Sequence, residues 1–540
     1  RRGDLRNDPE TAGEIKMSYH NPVYLFLFLP AVLLAYQLTP RKRRWILLLF
    51  AGYFFFWTIS GKLVLYLIGT TFFTHYIGLW LDLLKTSCKE KGEKEKAVRT
   101  QYRKKERLVL ALGVCTLLGA LACLKYYNFF AQNANLILEH AGQRGIFQVK
   151  TLLLPVGISF YTLQAISYMA DVYWEKIRPQ RHLGKLALFL GFFPQIMEGP
   201  ISMYGQTGEA LWKGEDLRGE NLSAGCARIL WGLFKKMIIA DRLYVLVTAV
   251  FEHYQDYNGS IVAFAAIAYT LQLYMEFSGC MDIVIGSGRL FGVTLPENFC
   301  RPFASENAAQ FWRRWHITLG TWLKTYVFYP LSVSRMVKKW NRFGKKHLGK
   351  YFTRLGATAL CLFPVWLCNG LWHGASWNYI FYGMYYFVIL LAGSALEPAR
   401  DQMIRAFGIN QNALYWKIPR ILKTWVIIFV GELFFRANGL KAGMTMFFSI
   451  FKDFRLDTLW DGTFLGFGLD KGDYMVVFAG ILLVSAAGII KERNLLNGKG
   501  LQDMKTPFRW AVYYGLILAV LIFGAYGIGY QQVDLIYAGF

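Results

Sequence analysis

The chain has 540 residues, of which 55% are hydrophobic, 17% aromatic and only 18% charged, where a soluble protein of this length carries about a quarter charged residues. No stretch between the apolar segments is long enough for a sizeable independent soluble domain. The formal net charge of +25 sits largely in short loops between apolar runs, the positive-inside pattern of a multi-pass membrane protein. This placement argues against a nucleic-acid binder, which would gather its cations on one soluble face.

Residues 1–16 form a polar leader of mixed charge, read as upstream of a native start at Met17. Residues 17–540 then read as one multi-pass, all-α membrane domain with its motifs concentrated in 150–396. The first span runs from Asn21 to Leu38, lacks a small-residue cleavage site, and is followed at once by Arg41, Lys42, Arg43 and Arg44. A second span covers Trp45 to Ile59, Gly61 and Lys62 make a tight turn, and a third span runs to Leu84. The segment from Lys85 to Arg107 is the most polar of the chain. Two crossings separate these basic loops, so both fall on one side, read as cytoplasmic, and the amino terminus faces outward.

Further apolar segments lie near 107–124, 151–173, 183–201, 223–251, 260–292, 352–373, 376–396, 419–436, 474–490 and 508–530. Span lengths predict about 10–12 crossings. Gly, Pro and charges interrupt several of them, which predicts broken or re-entrant helices shielded by protein or a wet cavity. Arg335 to Lys350 is a second strongly basic, cytoplasmic loop. Within it Gly344 to Lys350 fits GxxxxGK, but Tyr351 takes the Ser/Thr position and no buried strand precedes it, so it is not a nucleotide-binding loop. HExxH and GxSxG are absent, which removes the metalloprotease and serine-hydrolase motifs. The eight cysteines form no CxxC pair and read as small buried hydrophobes, with no metal site expected. No internal repeat is evident, which weighs against a transporter built from two inverted halves.

Two of the eight histidines stand apart. At helical spacing in Phe311 to Pro330, Arg313, His316, Gly320 and Lys324 share one face, Arg314 lies on the adjacent column, and Trp312, Trp315, Leu319 and Trp322 form another face. The pattern suits an interfacial helix with Trp and Arg at headgroup level. It equally suits a polar wall facing a cavity that receives an anionic donor. His373 is flanked by apolar and aromatic residues on both sides, and an ionisable group inside a span is a functional candidate by default. Asn369 lies one turn earlier, where its amide could orient the imidazole. Gly370 and Gly374 could thin the backbone for a substrate. A packed interhelical histidine fits the same local pattern. Among other charges within apolar segments, Lys235, Lys236, Asp241 and Arg242, and Glu432 with Arg436, read as paired structural charges, and the acids Asp171, Glu198, Glu276 and Asp282 as bonded to polar groups on other helices.

The segments 155–173, 193–201, 235–243, 277–303, 311–324 and 369–385, among them FPQIMEGPI, KKMIIADRL, FWRRWHITLGTWLK and NGLWHGASWNYIFYGMY, resemble the membrane-bound O-acyltransferase (MBOAT) family. The likeness is to its bacterial, alginate O-acetyltransferase-like branch. The resemblance implies a ring of tilted helices around a thinned central region and a tunnel in which a cytoplasmic acyl donor meets an acceptor from the other side. It implies that His373 is the invariant catalytic histidine and His316 the second catalytic position, with Asn369, Arg313, Arg314, Lys324, Trp372, Ser376 and Asn378 as substrate-binding candidates. It further implies acetyl-CoA or an acyl-carrier thioester as donor substrate rather than a bound cofactor. The implied partners are the lipid bilayer, a polysaccharide or wall-polymer acceptor, and an extracytoplasmic acyltransferase or a small acyl carrier protein; no nucleic acid is expected. The implied location is the bacterial plasma membrane. D-alanyl transfer from a carrier protein onto teichoic acid is the alternative within this chemistry. A transporter of lipid-linked sugar or a small solute is the alternative from another class, and a non-catalytic scaffold a third. Glu198, and LSVSR after Pro330, depart from the branch pattern, which bears on the donor-side loop.

Overall fold

A computed structural model describes residues 17–92, 95–150, 152–493 and 501–526; the polar leader lies outside the described residues. Every regular element among the described residues is helical. Seven stretches are long and apolar enough to cross a membrane by length and composition: Arg41–Glu90, Lys96–His140, Gly259–Leu290, Gly349–His373, Trp377–Ala395, Lys471–Glu492 and Thr506–Phe523. The first of these breaks at Gly61, whose φ of +53° is a left-handed conformation that glycine adopts freely. It yields α1 (Arg44–Ser60) and α2 (Val64–Glu90). The two basic loops that flank this pair do share one end. Lys85 Nζ donates to Val172 O and Tyr173 O at 2.7 and 2.9 Å. Trp45 packs edge-on against His182, and Arg44 donates to Asp216 at 2.8 Å.

Four of the apolar segments expected as spans do not form single long apolar helices. The 151–173 segment contributes only α4 (Ile158–Tyr173), which follows α3 (Lys96–His140) and is buried throughout residues 158–172. The 183–201 segment stops at Phe192, whose extended backbone ends one short helix and starts another at Phe193–Ile196. Phe189, Phe192 and Phe193 are fully buried there, as irregular backbone at membrane depth requires. The 223–251 segment is α5 (Gly219–Leu233), a wide turn at Phe234–Ala240, and α6 (Asp241–Glu252). The 419–436 segment extends into a helix, Leu414–Arg436, that carries too many charges to qualify as a span. In the opposite direction, α3 runs sixteen residues past the expected end at 124.

The centre of the fold is α7 (Gly259–Leu290), packed against α5, α6 and the later helices 414–436 and 440–452. Its most apolar window is 72% buried, against 6–28% for the other six stretches, so α7 is the inner helix and the others face lipid. Burying α7 also buries its charges, and a charge at mid-bilayer costs about 2.5–3.5 kcal/mol even on insertion scales. Each therefore has a partner. Lys236 Nζ reaches Glu276 and Asp241 at 3.2 and 2.7 Å, and Asp282 is held by both Lys235 and Arg228. Arg242 pairs with Asp473 at 2.8 Å. The expectation of paired structural charges holds for Lys235, Lys236, Asp241 and Arg242, but not for Glu432 and Arg436: Glu432 accepts from Tyr382 and Arg436 stacks on Phe251 instead. Among the lone acids, Asp171 accepts from Tyr326 Oη at 2.8 Å. All eight cysteines are free, but only Cys88, Cys280 and Cys361 are buried. The other five are exposed, so the expectation of buried hydrophobes holds for three of the eight.

Candidate active site

His373 is the last residue of α10 (Gly349–His373), the helix after the short α8 (Ile317–Leu323) and the basic α9 (Arg335–His347). A helix end leaves its last carbonyls without intrahelical donors. Two side chains of α3 supply them here. Lys125 Nζ donates to Trp372 O at 2.7 Å, and Tyr126 Oη donates to Leu371 O. An ammonium at this end also complements the helix dipole. The backbone just before His373 is thereby tied to a different span. The α10–α11 crossing, with α11 as Trp377–Ala395, fixes it from the other side. A Cβ on Gly370 would collide with Tyr379 O, and one on Gly383 with Trp366 O. Gly370 is therefore consumed by helix packing, and the Tyr379 ring fills the space beside Gly374; neither glycine opens room for substrate, as the sequence suggested.

His316 does not lie on a helix face. The expected continuous helix over 311–330 breaks after Trp312, and His316 adopts φ +45°, ψ 51° as the residue that starts α8. A left-handed non-glycine residue costs about 1–2 kcal/mol. Asn298, in the loop after α7, offsets this. Its backbone O accepts from Ile317 N at 3.0 Å. Its Oδ1 takes three contacts, from Thr318 N at 3.1 Å, Thr318 Oγ1 at 3.0 Å and His316 Nδ1 at 3.2 Å. The Thr318 amide can only donate, which identifies the Asn298 atom as the oxygen. His316 Nδ1 must then carry a proton, and in the neutral ring Nε2 is the lone-pair nitrogen. The helix break also disperses the expected polar wall. Arg313 and Lys324 are exposed while His316 is 3% exposed. Arg314 turns away to Glu492 at 2.8 Å.

The two imidazoles are bridged by Trp372, whose ring packs edge-on to His316 at 5.4 Å and to His373 at 4.9 Å. His373 is 4% exposed and lies edge-on to Phe435 at 4.9 Å and Tyr382 at 5.8 Å. Tyr382 Oη donates to the fully buried Glu432 at 3.1 Å. His316 and Lys125 are the titratable groups close enough to act electrostatically on His373. Asn369 is buried one turn before His373, but its Oδ1 has no partner among the described residues, so it does not accept a hydrogen bond from the imidazole.

A cleft opens at each end of this aromatic line. One, of about 520 Å³, is lined by Asn298 together with Arg228, Lys235, Asp282, Glu297 and Glu492. It lies toward the carboxy-terminal end of α7, where Gly292 abuts Glu215 beside the Arg44–Asp216 pair. The other, of about 510 Å³, is lined by Ser376, Asn378, Tyr379 and Arg436, with Phe251 from the last turn of α6 and Tyr254 just beyond it. Tyr379 on its wall packs at 5.2 Å on Phe435, the ring that lies against His373. Asn378, a substrate-binding candidate from sequence, spends its amide on Phe434 O, Phe435 O and Ala437 O at 3.2–3.4 Å and holds the end of the 414–436 helix. Ser376 keeps its place on the cleft wall.

The family model described as MBOAT, membrane-bound O-acyltransferase family, matches residues 180–430. A Pseudomonas aeruginosa protein named probable alginate O-acetylase AlgI is 33% identical over 440 residues, covering 81% of this chain and 75% of its own. This chain belongs to the membrane-bound O-acyltransferase family. The peptidoglycan O-acetyltransferase of Helicobacter pylori is 30% identical to the MBOAT chain over 463 residues, covering 79% and 78%. The teichoic acid D-alanyltransferase of Bacillus subtilis is 27% identical over 252 residues, 46% of this chain and 60% of its own. As an MBOAT protein, the chain is a multi-pass membrane acyltransferase. Sequence reasoning missed Lys125, Tyr126, Asn298 and the Tyr382–Glu432 pair as supports of this site. The one available signal was a lysine well inside an apolar stretch, at CLKYY.

Proposed function

We propose that this MBOAT protein acetylates a hydroxyl of an exported polysaccharide or wall polymer at a bacterial plasma membrane, using a thioester donor that enters from the basic, cytoplasmic end. The observation that carries this reading is the unbroken line from Asn298 through His316, Trp372 and His373 to Phe435, with a cleft at each end. A donor and an acceptor can approach one buried pair of imidazoles from opposite sides of the membrane. The relatives named for O-acetylation of alginate and of peptidoglycan support the acetyl group and the class of acceptor.

His373 acts as general base. Its neutral imidazole takes the proton of the acceptor hydroxyl as the oxygen attacks the thioester carbonyl. The new C–O bond forms, the C–S bond breaks, and the departing thiolate recovers the proton as a thiol. His316 belongs to the donor side, because Asn298 both holds it and lines the charged cleft. Asn298 Oδ1 accepts from Nδ1 whether the ring is neutral or protonated, so His316 can carry charge beside the thioester oxygen without changing its anchor. The donor is acetyl-CoA or an acyl-carrier thioester, and the amino terminus faces outward. Mass spectrometry of the surface polysaccharide tests the whole reading: cells carrying His373→Ala should lack the acyl ester, and normal acyl content would overturn it.

A further inference from the structure

Arg436 is the last residue of the 414–436 helix and projects into the second cleft. It is half-buried, and its one recorded side-chain contact of this kind is a cation–π stack, Cζ 5.6 Å over the Phe251 ring. No ion pair or hydrogen bond to a described residue engages its guanidinium. Five other buried or half-buried arginines, Arg44, Arg228, Arg242, Arg301 and Arg314, meet carboxylates. The carboxy-terminal end of a helix favours a cation, but that interaction fills none of the five N–H donors. Stacking one face of the guanidinium on Phe251 leaves its edge free, and that edge matches a carboxylate with two parallel hydrogen bonds. Glu252 lines the same cleft but is exposed at its rim and forms no ion pair with Arg436.

The remaining wall suits a sugar. Phe251, Tyr254 and Tyr379 offer ring surfaces, and Ser376 and Asn438 offer hydroxyl and amide groups. Apolar ring faces with a few convergent polar groups are the ordinary make-up of a small-ligand pocket. Tyr379 on the cleft wall packs on Phe435, which in turn packs on His373, and Ser376 on the same wall lies three residues after His373. We propose that this cleft is the acceptor subsite, and that Arg436 selects a glycosyl unit bearing a carboxylate by pairing with it while a hydroxyl of the same chain is turned toward His373. The assignment rests on the acyltransfer reading above, and it fixes which end of the aromatic line the acceptor uses.

The test is equilibrium binding to the full chain in nanodiscs, with a linear galacturonic acid trimer and with maltotriose as the neutral trimer. The acidic trimer should bind at least about tenfold more tightly than the neutral one. Arg436→Gln should erase that preference, and Arg436→Lys should retain part of it as a check that the cleft still folds. His373→Ala should bind the acidic trimer as the unaltered protein does, so loss of acyl transfer and loss of acceptor binding are read separately. Equal binding of the two trimers, an acidic preference that survives Arg436→Gln, or no binding of either trimer would overturn the assignment. The last result would point to a hydroxyl on a partner protein as acceptor.

Discussion

Lys125 Nζ donates a 2.7 Å hydrogen bond to the backbone oxygen of Trp372, the residue immediately before His373. A cation from one span thus sets the end of the helix that carries the His373 imidazole. Lys125→Met removes both the bond and the charge at the helix terminus, and hydrogen bonds to charged groups contribute about 1.5–3 kcal/mol. The expected outcome is a fall in kcat of about ten- to a hundredfold with KM for the donor little changed. Lys125→Arg should recover part of the loss. A steady-state acyl-transfer assay in nanodiscs separates kcat from KM; an unchanged kcat in Lys125→Met would assign the lysine to assembly alone.

The two histidines should differ in their effect. General-base catalysis contributes about 100- to 10,000-fold, so His373→Ala should abolish measurable transfer in a protein that still inserts and purifies normally. His316→Ala should lower activity strongly without removing it. Single-turnover rates with a thioester donor would check both, and full activity in His316→Ala would leave its left-handed backbone as a structural feature only.

Asn298 gathers three donors on one buried oxygen. Asn298→Leu leaves the Thr318 amide, the Thr318 hydroxyl and His316 Nδ1 without their acceptor, at about 1–3 kcal/mol for each buried group. Thermal unfolding in detergent should move to clearly lower temperature, and activity should fall with it. Asn298→Asp keeps an acceptor oxygen in place and should unfold closer to the parent. Equal stability of the Leu and Asn forms would show that the loop finds other partners.

The α10–α11 crossing depends on two small residues. Gly370→Leu places a side chain where Tyr379 O lies, and Gly383→Leu one where Trp366 O lies. Either change should force the two helices apart and cost more than the 1–3 kcal/mol typical of an overpacked core. Gly393→Leu, on the same α11 with nothing near its Cβ position, should be tolerated. Yield of folded protein by size-exclusion chromatography would rank the three.

His373 was legible in the sequence because a histidine between apolar runs is conspicuous, and because the surrounding motifs resemble a family. The helix break at His316 was not. Periodicity over 311–330 is good on both sides of the break, and neither Gly nor Pro marks the left-handed residue; the signal that ends the helix comes from Asn298, thirteen residues upstream of Phe311. The same error placed Arg313 and Lys324 beside His316 when both are exposed. Lys125 was passed over because one basic residue in a long apolar stretch resembles a span end, whereas α3 continues to His140. The segments 151–173 and 183–201 looked like spans for a related reason: hydropathy registers that residues 158–172 and 188–196 are buried, but not whether lipid or protein buries them.

The charge pairing inside α7 bears on how the chain enters the membrane. Lys236 emerges from the ribosome forty residues before its partner Glu276, and Arg228 precedes Asp282 by fifty-four. During that interval Lys236 has only Asp241 for a partner and Arg228 and Lys235 lack the Asp282 carboxylate, and α7 when it follows carries acids that lipid would reject. Lateral release of either segment alone into the bilayer is disfavoured, so the insertion machinery must hold the first until the second arrives and pass them on together. Biogenesis of this enzyme therefore has a commitment point near residue 290, and a glycosylation-scanning or force-profile experiment on truncated nascent chains would find it there.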